Sequence, residues 1–90
     1  MSISILILPR ARKFGYVIWK RKQDFDLKTC LKDIESADVI FEGENLGKKN
    51  IDWKYRRISL GWVRTRGIAN NKNHFSISLN KDKKLAIRCQ

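Results

Sequence analysis

Apolar positions along the 90-residue chain recur mostly at every second residue, the spacing of strands with one face turned to a core. Ile3, Ile5 and Ile7 alternate with Ser4, Leu6 and Leu8, a strand apolar on both faces over part of its length and therefore read as central. Pro9 ends it, because proline has no N–H to give a ladder. Residues 10–13 then read as a basic turn. Residues 14–22 read as a second strand, with Phe14, Tyr16 and Ile18 on one face and Val17, Trp19 and Arg21 on the other.

One segment changes period. Leu27, Cys30, Leu31 and Ile34 fall at i, i+3, i+4 and i+7, the apolar stripe of a short helix. Asp24 or Asp26 suits its start, accepting backbone N–H bonds and facing the positive end of the dipole. So short a helix must borrow stability by lying on a sheet.

Val39, Ile40 and Phe41 form a short buried strand, and residues 44–47 a turn in which Asn45 and Gly47 can take positive φ. Residues 50–63 are the longest strand-like run. Ile51, Trp53 and Tyr55 hold one phase, and Ile58, Leu60 and Trp62 the other. A strand cannot change its buried face without a bulge or break, so an irregularity is expected at Arg56–Arg57. Residues 67–73 read as a polar loop. Phe75, Ile77 and Leu79 form a half-buried strand, residues 80–83 turn it, and Leu85, Ile87 and Cys89 return as its hairpin partner.

The order β-β-α-β-β-β-β predicts an α+β roll: a curved, mostly antiparallel sheet of about five to six strands with one helix packed on a face. Its opening β-β-α-β resembles the ubiquitin-like β-grasp order in topology alone, with no residue motif attached. No repeat, linker or low-complexity stretch divides the chain, so residues 1–90 read as a single domain.

Composition sets the scale. The hydrophobic fraction is 42%, with three Trp, four Phe and two Tyr, enough for a small core. A chain of this size hides only about two-thirds of its unfolded surface, which argues against a deep, walled catalytic cavity. It is too short for a dinucleotide-binding fold or a multidomain enzyme.

Charge changes the picture more. Twenty Lys and Arg against nine Asp and Glu leave +11. Residues 1–23 carry six basic side chains and no acid; residues 24–44 carry seven acids against Lys28 and Lys32; residues 45–90 carry twelve basic side chains against two acids. A fold with this distribution has an electropositive side and a mildly acidic one. Solubility alone is better served by acidic residues, so the excess points to a polyanionic partner.

The apolar stretch at residues 3–8 is too short for a leader or a span, and its basic residues follow rather than precede it, so a cytoplasmic protein is expected. Cys30 and Cys89 lie far apart, outside any Cys-x-x-Cys, with His74 the single histidine. Neither a metal site nor a cofactor is expected, and the thiols read as small hydrophobes.

Residues 53–66 carry the strongest chemical signal. Lys54, Arg56, Arg57, Arg64 and Arg66 interleave there with Trp53, Tyr55 and Trp62. Nucleic acids call for this mixture: cations neutralise phosphates and release counterions, while rings and guanidinium planes stack on exposed bases. Residues 16–22 repeat it, ending in Lys20, Arg21 and Lys22, and the two surfaces merge if their strands are neighbours. Arg10, Arg12 and Lys13 form a secondary basic loop, and Lys72 belongs to the polar loop that follows Arg66. The same aromatics suit a core equally well, with the charges on its solvated face.

The expected function is therefore a small basic DNA- or RNA-binding protein of the kind used by phage or mobile-element regulators. Two alternatives stay open. The basic face docks an acidic protein, or the chain is a metal-independent ribonuclease with His74 as general base. No second histidine accompanies His74, so no catalytic residue is assigned and binding is favoured over catalysis. A membrane surface is disfavoured because the one helix is nearly neutral, and a helix-turn-helix because it needs a second helix. A strand such as residues 75–79, if it lay at a sheet edge, would allow a homodimer.

Overall fold

The computed structural model describes residues 2–61 and 72–90. Its elements are β1 (Ser2–Leu6), α1 (Pro9–Phe14), β2 (Tyr16–Ile18), a 3-10 turn (Arg21–Gln23), α2 (Asp24–Leu31), β3 (Ser36–Phe41), β4 (Glu44–Asp52), β5 (Arg57–Ser59), β6 (His74–Leu79) and β7 (Leu85–Cys89). The seven strands form one sheet in the order β1-β6-β7-β3-β4-β5-β2. Every neighbouring pair is antiparallel except β3 with β7. The molecule is thus a small α+β domain with a mostly antiparallel sheet.

Alternation fixes the buried face. Ile3, Ile77, Ile87 and Phe41 lie opposite one another across four strands, and so do Ile5, Phe75 and Cys89. These rows point into the core, and each fully buried aliphatic side chain in them contributes about 1.5–3 kcal/mol. Ser2, Ser4, Ser76 and Ser78 take the opposite face. Leu27, Cys30 and Leu31 of α2 are buried in the same core. The sheet curls until its two edges face each other, making it nearly a barrel: β1 and β2 line one groove, and the Gln23 side-chain amide donates across it to the Ser4 carbonyl at 3.3 Å.

The structure departs from the expected element order in several places. Among the described residues, seven strands stand where five or six are expected, and two helices and a 3-10 turn where one helix is. Residues 10–13 are not a turn but the body of α1, with Pro9 in its first turn and Gly15 (φ 74°) closing it through an N–H bond to the Ala11 carbonyl. The second strand is only Tyr16–Ile18, so Lys20–Lys22 lie on the 3-10 turn rather than on a strand. Because β1 and β2 are the sheet's opposite edges, the opening hairpin of a β-grasp order is absent.

The β3–β4 connection is the two-residue turn Glu42–Gly43, both at positive φ as a type I′ turn requires. Residues 44–47 belong to β4. Gly47 (φ 80°) sits at a bulge where Val39 faces Gly47 and Ile40 faces Asn45. The phase change at Arg56–Arg57 is a chain reversal: Asp52 pairs with Arg57, and residues 53–56 form the loop with Arg56 at φ 56°. The hairpin of β6 and β7 forms as expected, with Phe75 opposite Cys89, Ile77 opposite Ile87 and Leu79 opposite Leu85. β6 lies between β1 and β7, so edge pairing through residues 75–79 is closed off.

Candidate functional site

The sheet makes the two basic–aromatic segments neighbours. β2 pairs with β5, placing Ile18 opposite Arg57 and Tyr16 opposite Ser59. The Trp19 N–H donates to the Arg56 carbonyl at 3.1 Å, extending the pairing past the strand end. Asp24 then staples the segments through side chains: it accepts the Trp19 indole N–H at 2.8 Å and the Arg56 guanidinium at 3.0 Å. Partial burial raises the Asp24 pKa, but the bonds from Trp19 and Arg56, with the charges of Arg56 and Lys28, outweigh it and hold the carboxyl below its ordinary 3.8. Asp24 thus lies in the first turn of α2, as expected, with its carboxylate spent on this staple rather than on a cap bond.

The two segments meet at Asp24. Lys20, Arg21 and Lys22 are exposed at the start of the 3-10 turn that precedes it, Lys54 and Arg56 stand on the β4–β5 loop, and Arg57 opens β5. Arg56 pairs with Asp24 and, at 3.6 Å, Arg57 with Asp52. Both pairs are partly exposed, which limits what each adds to stability.

Arg57 also organises the aromatics. Its guanidinium carbon lies 4.8 Å from the Tyr16 ring centroid and 5.4 Å from that of Tyr55. The Lys54 ammonium is 5.4 Å from the same Tyr55 ring. Tyr55 is 61% exposed, and its backbone N–H bonds the Asp52 carboxylate at 2.9 Å, which fixes the loop beneath it. Trp53 is placed differently. Its indole N–H donates to the Ile34 carbonyl at 2.9 Å and its ring meets Trp19 edge-on at 5.6 Å, so it is a packing residue.

Arg10, Arg12 and Lys13 lie on α1, at the other end of the edge strand β2. Arg12 donates to the Lys72 carbonyl, which brings Lys72 to this second basic group rather than to the first. Trp62, Arg64 and Arg66 lie outside the described residues. Tyr16 was not among the expected site residues; the signal was its place at the head of the second basic–aromatic segment.

His74 is exposed at the start of β6 and lines the groove between β1 and β2 with Lys20, Lys22 and Gln23. Among the described residues, no three His, Cys, Asp or Glu come together as metal ligands. Neither Cys30 nor Cys89 is in a disulfide, and burial with the nearby Glu42 carboxylate pushes the Cys89 thiol up to about 11. Among the described residues, no helix is long and apolar enough to cross a membrane. No family model, curated protein or solved structure matches this chain.

Proposed function

We propose that this protein binds nucleic acid, DNA or RNA, through the face where the 3-10 turn meets the β4–β5 loop. What supports the reading is the Arg56–Asp24 ion pair, which spans 32 residues of sequence and, with the pairing of β2 and β5, sets the segment that carries Lys20–Lys22 beside the one that carries Lys54, Arg56 and Arg57. Cations drawn from distant segments and mixed with aromatic rings suit a sugar–phosphate backbone with bases beside it. Fluorescence anisotropy with random DNA and RNA oligonucleotides tests it. Binding at about micromolar protein is expected at roughly 100 mM salt, weakening steeply as salt rises. Absence of binding to both would transfer the surface to the acidic-protein alternative.

A second reading rests on His74. The His74 imidazole, sharing a groove with Lys20 and Lys22, has the parts to take the proton of a ribose 2′-hydroxyl as that oxygen attacks the adjacent phosphorus and to return it to the departing 5′-oxygen, while a lysine stabilises the charge on the phosphate. RNA incubated with the protein in EDTA is cleaved on this reading and spared by His74→Ala; intact RNA with the unmodified protein removes it.

A further inference from the structure

We infer that the ligand of this face is a single strand, its unpaired bases stacking on the Tyr16–Arg57–Tyr55 ladder while its phosphates follow Lys54 and the Lys20–Lys22 turn. The inference rests on the nucleic-acid reading and adds the class of nucleic acid. The Arg57 guanidinium lies 4.8 and 5.4 Å from the Tyr16 and Tyr55 ring centroids, and Tyr55 gives most of its surface to solvent. Arg57 holds the tyrosines from one side, and the exposed Tyr55 ring offers a ligand a face rather than a hydrogen-bonding edge. Every nucleobase has a matching face, but in a duplex that face is already covered by the next base pair.

The described elements serve duplex reading poorly. A major groove takes a helix or a two-stranded ribbon. The β4–β5 hairpin is no free ribbon, because β4 is also paired with β3 and β5 with β2. α1 has six residues, and α2 buries Leu27, Cys30 and Leu31 in the core. The ladder is also pre-set. Asp52 holds both the Tyr55 backbone N–H and the Arg57 guanidinium, so little ordering is left for binding to supply. Lys54 rests near the Tyr55 ring on a flexible stem and can turn to a phosphate when a base arrives.

The test compares a labelled strand of about 12 nucleotides with its own duplex at low salt, for the unmodified protein and for Tyr55→Ala, Tyr55→Phe and Arg57→Lys. The single strand should bind more tightly than the duplex. Tyr55→Ala should weaken single-strand binding about tenfold, with duplex binding and the salt dependence unchanged. Tyr55→Phe should restore it, since the ring is what stacks. Arg57→Lys, which keeps the charge but loses the plane, should weaken it as well. Equal affinity for both forms, or a Tyr55→Ala protein that binds the strand normally, overturns this inference and leaves the nucleic-acid reading standing. Failure to bind either form overturns both.

Discussion

Phe75→Ala should destabilise the fold by about 3–5 kcal/mol, the cost of emptying an aromatic site in a core that relaxes only partly. Phe75 is fully buried at the start of β6, opposite Ile5 on one side and Cys89 on the other. Its ring also meets Phe41 of β3 edge-on at 6.4 Å. One side chain therefore joins β1, β6, β7 and β3, and a smaller residue leaves a hole that none of these strands can fill alone. A domain of 90 residues has about 5–13 kcal/mol in all, so the loss is a large fraction of the total. In a thermal melt it amounts to a fall in Tm of the order of 20 °C. Phe75→Leu should recover more than half of the difference. A melting point unmoved by Phe75→Ala would contradict this account of the core.

Asp24→Ala should cost about 2–3 kcal/mol, more than an ordinary surface substitution. The variant leaves the indole N–H of the buried Trp19 without an acceptor and removes the partner of Arg56. It also removes a negative charge from the first turn of α2. Asp24→Asn separates these effects: its side-chain oxygen still accepts from Trp19, so most of the stability should return while the charge on Arg56 goes unanswered.

The same carboxylate gives the stability a pH dependence of known sign. Its pKa is lower in the folded than in the unfolded chain. The stabilisation is fully present above the unfolded value, near 4, and is lost as pH falls below that through the folded pKa. Urea titrations from neutral pH down to about pH 3 should show a steeper loss for the unmodified protein than for Asp24→Asn. Parallel losses would take Asp24 out of the acid response.

What the sequence made legible follows strength of pattern. The hairpin of β6 and β7 was readable because Phe75, Ile77 and Leu79 and then Leu85 and Ile87 alternate cleanly across a turn. The stripe of Leu27, Cys30 and Leu31 gave α2, and Ile34 still packs on the core although positive φ at Lys32 and Asp33 has ended the helix. The helix α1 was missed because six residues bury only Ala11, too little for any periodicity. Its signal lay instead in the end residues, Pro9 at the start and Gly15 at the close.

The irregularity expected at Arg56–Arg57 is only the end of a reversal that begins after Asp52, because a change of buried face does not distinguish a bulge from a four-residue loop. The missing information was the pairing of Asp52 with Arg57. The same holds for the candidate site. The two basic–aromatic segments could each be read, yet their adjacency depends on β2 pairing with β5, a contact between residues about forty positions apart. Which aromatic stayed outside was equally hidden. Trp53 and Tyr55 share one strand phase in the sequence, and only the loop sends Trp53 inward to Ile34 while Tyr55 faces water.

If the protein binds nucleic acid as proposed, the position of its cations, and not their total charge, makes the surface. This is tested by the slope of log affinity against log salt for a single strand, measured on the unmodified protein and on two triple variants that lose equal charge. Changing Lys20, Arg21 and Lys22 to Ala strips the proposed face. Changing Lys81, Lys83 and Lys84 to Ala strips the β6–β7 turn, where Lys81 and Lys83 share a hollow with Lys32 beyond the far end of α2. The account predicts that the first variant flattens the slope by about 2, at roughly 0.7 per phosphate contact, and that the second leaves it unchanged. Equal flattening by both variants, or by neither, would contradict it.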